Sequence, residues 1–350
     1  MVEPIFIDGK ELSSNCPPYI IGEISANHNG SLDRALQTIL VAKKSGVHAV
    51  KIQSYTPQTM TINSSKEDFM IREGIWKGQS LFDLYSEAFT PFEWHKELFE
   101  YAKKLNLTIF STPFDETAVD LLETLNAPAY KVASFEILDL PLIEYIAKKG
   151  KPMLISTGMA NMNEIGNAIE TARAGGCKSL ALFHCVSSYP TSISDANLCM
   201  INLLQKEFNV QVGLSDHTLG SLAGISATTL GATILEKHIT LSRSEDGVDS
   251  TFSLEPTEMK KYVEDSKLAF RALGCKIFKR SDSELENIIF RRSLYFVEDL
   301  KEGMIIREEH IRRIRPGFGL DPKYLKKILG TKVKKDVFRG DRVDLGSVEI

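Results

Sequence analysis

Short apolar runs rich in β-branched residues recur along the chain, each followed by a longer amphipathic stretch. YIIGEISAN precedes LDRALQTILVAKKSG, AVKIQSY precedes FEWHKELFEYAKKLN, and LTIFSTP precedes AVDLLETLN. The first member of each pair has the length and composition of a buried strand, and the second carries apolar residues at helical spacing. The alternation continues through AYKVASFE with LPLIEYIAKKG, PMLISTGM with MNEIGNAIETARAGG, SLALFHCVSSYP with NLCMINLLQKEF, VQVGLSDHT with SLAGISATTLGA, and TILEKHIT with EPTEMKKYVEDSKLAFRALG. Nearly continuous apolar strands separated by helices predict a parallel sheet covered on its outer face. Eight such units in roughly 260 residues predict a closed (β/α)8 TIM barrel rather than an open doubly wound sheet. The G-x-G-x-x-G fingerprint that would favour a dinucleotide-binding sheet is missing after the first strand.

Beyond about residue 280 the rhythm stops. RRSLYFVEDLKEGMIIREEHIRRIRPGFGLDPKYLKKILGTKVKKDVFRGDRV reads as short strands, turns and one short helix. The expected division is a barrel over 1–275, a polar linker over 276–287 and a small second domain over 288–350. So short a domain has a limited core, which predicts that it leans on another surface, its own barrel's or a partner's.

Composition narrows the chemistry. The formal net charge of -4 comes with no basic block and no aromatic-interleaved Lys/Arg stripe, which argues against a nucleic-acid or anionic-membrane surface. The N-terminal segment has acids early and no basic stretch ahead of a long apolar run, and no apolar run of about eighteen residues occurs, so a cytoplasmic location is expected. The five cysteines are scattered, odd in number and never in a C-x-x-C pair, which argues against a disulfide framework or a zinc ribbon. Cys185 is expected in the core.

In a barrel of this kind the loops after the strands build the active site, so polar residues at strand C-termini carry functional weight. SDHT ends the seventh strand and EKHIT the eighth, which places His217 and His238 in one mouth as a candidate pair of ligands for a divalent metal. Lys51 and Lys131 stand among apolar neighbours in the second and fourth strands. Hydroxyls gather at the same rim: Ser111, Thr112, Ser134, Ser156, Thr157 and Ser215. Cations and neutral donors converging on one mouth suit a phosphate or carboxylate. Some of these hydroxyls are expected to cap helices instead. Glu23, Glu136 and Asp249 supply acids for proton handling or for holding a polar substrate. Lys237, a candidate for Schiff-base chemistry, alternates with His238 and is expected outside the barrel.

With these residues in place, IGEISANHNGSLDRAL, VKIQSYTP, FSTPFD, YKVASFE, ISTGMA, SSYPT, GLSDHTLG, LEKHIT, RRSLYFVEDLKEG and RPGFGL closely resemble the sialic acid synthase family over nearly the whole chain. The resemblance implies condensation of phosphoenolpyruvate with an amino-sugar aldehyde. It implies a manganese-type ion, with magnesium or cobalt as alternatives, on His217 and His238. Phosphoenolpyruvate would lie among Lys51, Thr112, Lys131, Ser134, Ser156 and Ser215. The sugar would meet Gln53, Ser187, Tyr189 and Asp249. Arg315 would reach the partner's sugar site in a domain-swapped homodimer, and the tail resembles the family's antifreeze-like (SAF) domain. Of the acids, Glu136 is the first candidate to activate water and Glu23 the second.

The stretch KEDFMIREGIWKGQSLFDLYSEAFTPFEWH, YTP after Gln53, and Ser187 ahead of Tyr189 resemble the pseudaminic branch of the family. That branch implies a 6-deoxy, 2,4-diacetamido sugar of altro configuration, with the precursors of N-acetylneuraminate and legionaminate as alternatives. A Schiff-base pyruvate aldolase and a non-enzymatic sugar- or ice-binding protein are the rival readings.

Overall fold

Five consecutive buried residues, Tyr19–Glu23, form the first barrel strand, β1. The others are β2 (Ala49–Ser54), β3 (Thr108–Pro113), β4 (Tyr130–Val132), β5 (Met153–Ser156), β6 (Leu180–Cys185), β7 (Gln211–Asp216) and β8 (Ile234–His238). Each pairs in parallel with the next, and β8 pairs back onto β1, so the sheet closes as the strand–helix rhythm predicts. The structure is a computed structural model that describes residues 2–245, 247–275 and 277–349.

The covering helices are α1 (Leu32–Ser45), α2 (Phe92–Lys104), α3 (Glu116–Thr124), α4 (Leu140–Ala147), α5 (Met162–Ala174), α6 (Met200–Phe208), α7 (Leu222–Thr229) and α8 (Pro256–Leu273). Their boundaries follow local chemistry. Ser31 accepts a hydrogen bond from the Arg34 amide to start α1, and Gly46, at φ 85°, ends it in the left-handed region. Asn161 and Glu164 form a capping box at the start of α5.

Alternation along each strand sorts side chains into two layers. Ile234 joins an inner cluster with Ile21, Ala49, Phe110, Leu154 and Phe183, while its neighbour Leu235 joins the larger cluster between sheet and helices. An N-terminal hairpin, Ile5–Ile7 paired with Lys10–Leu12, adds Ile5, Ile7 and Leu12 to the inner cluster and so plugs the barrel's N-terminal end. The outer layer is packed closely. A Cβ on Gly224 of α7 would lie 2.1 Å from the hydroxyl oxygen of Tyr262 on α8, so this position accepts only glycine without repacking.

The chain divides into two compact units, Met1–Gly274 and Cys275–Ile350. The second contains the antiparallel pair β9 (Ser293–Phe296) and β10 (Ile311–Ile314) and a short helix, Leu325–Ile328. It has its own core, including Leu294, Phe296, Ile306, Ile328, Val333 and Val343. A one-turn helix, Asp282–Glu286, capped by Ser281, lies within the polar stretch that precedes β9. Among the described residues no helix is long and apolar enough to cross a membrane.

Candidate active site

Inward-facing positions near the C-terminal ends of the strands carry charge in place of hydrocarbon. Register fixes the neighbours: Glu23 stands beside Lys51 on one side and His238 on the other, and Gln53 stands beside Thr112. Lys51 Nζ lies 2.9 Å from Glu23 Oε2, 3.0 Å from Thr112 Oγ1 and 3.7 Å from Glu236 Oε1. Lys131 Nζ lies 3.1 Å from Glu236 Oε1 and 4.9 Å from the centre of the Phe183 ring. Ser215 donates to Glu236 Oε1 at 3.1 Å, and Gln53 donates to Glu23 Oε1 at 3.1 Å.

Electrostatics differentiate these groups. Burial opposes the charge on Glu236, yet Lys131 and Lys51 outweigh it and hold the carboxyl below the usual range. Burial pulls Lys131 below an ordinary lysine, with Glu236 opposing it, whereas Glu23 and Glu236 outweigh burial at Lys51 and hold that ammonium above. Burial dominates at Glu23 and raises its carboxyl despite Lys51. From sequence the two lysines suit a phosphate or carboxylate. In the folded chain Glu236 and Glu23 already neutralise them, so an incoming anion competes with carboxylates for the same ammonium groups. Glu236, absent from the sequence-derived site, is the hub of this cluster.

The histidines meet as the strand ends require, with ring centres 5.5 Å apart. His217 Nδ1 stands 3.0 Å from the Val186 carbonyl, so that nitrogen carries a hydrogen. Burial opposes charge on this ring, but Cys185 and the Val186 carbonyl outweigh it and hold the imidazole above its ordinary value, so Nε2 offers a lone pair only once the ring gives up its second proton. His238 Nδ1 is buried without a hydrogen-bond partner, 3.8 Å from Asp249 Oδ2. Burial, reinforced by His217 and Lys51, holds the His238 imidazole neutral. Two imidazoles this close, each able to offer a lone pair when neutral, fit a borderline divalent cation. Among the described residues no group of three or more His, Cys, Asp or Glu side chains gathers to hold one, so its remaining positions would fall to water or substrate.

The other residues singled out from sequence divide between this mouth and places away from it. Ser134 and Ser187 share a hydrogen bond of 2.8 Å, and a Cβ on Gly158 would lie 2.3 Å from Ser134 Cβ, so a glycine lets the loop after β5 pass. Ser156 Oγ and Glu136 Oε2 are buried without hydrogen-bond partners. Burial, in a mouth where Asp139 adds negative charge, pushes the Glu136 carboxyl up to about 7. Tyr189 packs 4.4 Å from His217 and 5.4 Å from Phe252, centre to centre. Asp249 accepts from the Ala26 amide at 3.3 Å. Ser111 turns away from this group to bond Ser54 at 2.6 Å. Arg315 is exposed in the second unit, just after β10. Cys185 is buried as expected, yet its sulfur lies 3.9 Å from His217 Nδ1 and so belongs to the mouth. Lys237 does face outward, against Asp216 and the Thr218 carbonyl, which takes it away from any Schiff-base role inside the barrel.

Buried acids, cations and imidazoles gathered at the C-terminal mouth of a closed parallel barrel define an enzyme of the (β/α)8 class. Its residues 38–278 match the NeuB family, and the chain belongs to that family. It is 43% identical to the pseudaminic acid synthase of Campylobacter jejuni, over 95% of this chain and 96% of that protein. It is 46% identical to the pseudaminic acid synthase of Helicobacter pylori, over 91% and 94%. Among solved structures it resembles the N-acetylneuraminic acid synthetase of Leptospira borgpetersenii in complex with citrate, with a TM-score of 0.74 and 31% identity over 82% of this chain and 96% of that one.

Proposed function

We propose that this enzyme condenses phosphoenolpyruvate with 2,4-diacetamido-2,4,6-trideoxy-altropyranose and water, giving pseudaminic acid and phosphate. The observation that carries the reading is the convergence of Lys51 and Lys131 with His217 and His238 in one mouth, in a chain 43% identical to a pseudaminic acid synthase. Lys51, Thr112, Lys131, Ser134, Ser156 and Ser215 surround phosphoenolpyruvate. Ser156, whose hydroxyl lacks a partner, has a donor to spare for it. Gln53, Ser187, Tyr189 and Asp249 orient the open-chain sugar. His217 and His238 would hold the divalent cation, manganese in the first place with magnesium or cobalt as alternatives. When bound, that cation supplies Lewis acidity toward the sugar aldehyde.

C3 of the enol attacks the aldehyde carbon, C2 takes up water, and phosphate leaves from the resulting adduct. Glu136, whose carboxyl titrates at about 7, can take the proton of that water at neutral pH. Glu23, held on Lys51 and Gln53, is the second candidate. The small unit corresponds to an antifreeze-like (SAF) domain, and a domain-swapped homodimer would bring the partner's copy of Arg315 over the mouth. Support for a covering partner comes from Phe135, Leu138, Met159, Ile193 and Leu219 on the segments after β4 to β7 and Leu222 at the start of α7, six apolar side chains 51–62% exposed.

The deciding assay offers phosphoenolpyruvate and manganese with, separately, the altro-configured diacetamido sugar, its manno-configured counterpart and N-acetylmannosamine. The first should give the highest kcat/KM. N-Acetylmannosamine would bury its C6 hydroxyl and leave the groups meant for the C4 amide unpaired, each costing roughly 1–3 kcal/mol. Comparable kcat/KM for it would sink the sugar assignment while leaving the family unaffected.

A further inference from the structure

Between β2 and α2 the chain makes a long excursion, and its outer end is built around one tryptophan. Met70 pairs antiparallel with Ser80, and two backbone hydrogen bonds of 2.9 Å, Ile71 N to Gln79 O and Gly78 N to Ile71 O, close the loop. Gly78, at φ 92°, supplies the turn. On this tip Arg72, Glu73, Gly74 and Ile75 are exposed, as are Lys77, Gly78 and Gln79, whereas Trp76 between them is half-buried. Its indole Nε1 donates to the Val248 carbonyl at 3.3 Å, one residue before Asp249. Its ring centre lies 6.0 Å from that of Tyr189, which in turn packs on His217 and Phe252, and Phe252 lies 5.0 Å from His238. Loops following β2, β6 and β8 thus meet at this indole.

We propose that Trp76 is a specificity-determining residue that closes the outer end of the sugar subsite with an apolar wall. The proposal rests on the reading of this mouth as the site of an acetamido-sugar aldehyde. With the aldehyde at the imidazoles, the far end of the sugar runs outward along Tyr189 toward Trp76. Aromatic faces suit the acetamido methyls and a deoxy C6 methyl, whereas the hydroxymethyl end of N-acetylmannosamine would lose hydration there without a partner. No helical or strand period surrounds this tryptophan, so its position over the mouth emerges only from the fold.

Steady-state kinetics of wild type, Trp76→Ala and Trp76→Phe with both sugars test the proposal. Trp76→Ala should raise the KM for the diacetamido sugar about tenfold or more and lower the kcat/KM preference over N-acetylmannosamine by a similar factor. The KM for phosphoenolpyruvate should stay within about twofold, because the lysine end is untouched. Trp76→Phe, which keeps an aromatic face and loses the bond to Val248, should recover most of the preference. An unchanged sugar KM and preference in Trp76→Ala would overturn the proposal, as would Trp76→Phe being as impaired as Trp76→Ala, which would assign Trp76 to tethering Val248. Wild type inactive with every acetamido sugar would instead overturn the functional reading, and with it the substrate class assigned to this wall.

Discussion

Strand β8 sends neighbouring residues, Glu236 and Lys237, into two buried ion-pair systems that face opposite ways. On the outer face Lys237 lies 3.0 Å from Asp216 Oδ2 and donates to the Thr218 carbonyl. Asp216 Oδ1 accepts from the Thr218 amide at 2.9 Å and its hydroxyl at 2.7 Å, and the Tyr262 hydroxyl approaches Oδ2 at 3.5 Å. That system is closed: each carboxylate oxygen is engaged within the chain. On the inner face Lys51, Lys131, Glu23 and Glu236 balance in charge, but the rim around them keeps Ser156 Oγ, Glu136 Oε2 and His238 Nδ1 buried without hydrogen-bond partners. Leaving such groups unmatched costs stability, and these three lie at the mouth that the proposed substrates would enter. The two faces of the barrel wall at β8 thus separate a structural polar cluster from one that lines the mouth.

The largest effect expected from breaking the inner system is at the histidines. If the histidines hold a divalent cation as proposed, His217→Ala and His238→Ala should each lower turnover about a thousandfold or more, since each would remove one of its two imidazole ligands. Circular dichroism should show the fold retained, and metal analysis of the loaded protein should show the loss. Metal content equal to wild type would refute the assignment. The outer system should fail differently. Lys237→Met leaves Asp216 as an uncompensated buried charge and should cost about 3–5 kcal/mol in denaturant unfolding, and a second change, Asp216→Leu, should restore part of that. Undiminished stability in the single variant would erase the distinction between the two faces.

Smaller effects sharpen the contrast within the inner system. Lys131→Ala should raise the KM for phosphoenolpyruvate about 10–100-fold, as loss of one charge-assisted hydrogen bond implies, with less change for the sugar. Initial rates at varied phosphoenolpyruvate measure this, and an unchanged value would remove Lys131 from the anion site. At Glu136 the carboxyl is raised from 4.5 to about 7, so the folded state favours the neutral acid. Its stabilising contribution is complete below pH 4.5 and is lost as pH rises through about 7. Glu136→Gln should therefore unfold like wild type at acid pH and be more stable above neutrality, on the order of 1–2 kcal/mol after allowing for partial exposure. Thermal unfolding across this range checks the sign, and a wild type that gains on the variant with rising pH would reverse it.

Much of this was legible in the sequence because barrel strands announce themselves. YIIGE and MLIS are apolar on both faces, and a helix of matching period follows each, so closure could be expected without any pairing being seen. The histidines and lysines were legible for the same reason, as polar exceptions at strand ends. Glu236 was not assigned because its role requires β2, β4 and β8 to converge, and position in one strand says nothing about which cations stand opposite. Cys185 reads as one more small apolar residue until its sulfur is found beside His217. Trp76 sits in a segment with no period at all, and Arg315 lies in the second unit, where only the family resemblance points to it.

One register pair has a consequence for how the protein is made. His238 aligns with Glu23, so the last barrel strand completes the first across more than half of the polypeptide. A chain that ends before β8 lacks Glu236 and His238, so Lys131 has no such carboxylate partner and no imidazole pair exists. Nascent chains therefore cannot be rescued by substrate binding, because no truncated product presents the pocket. Such non-local closure is slow relative to local helix formation, which leaves an interval in which the edges of β1 and β7 are open to chaperones, to proteases and to each other's neighbours on the same polysome.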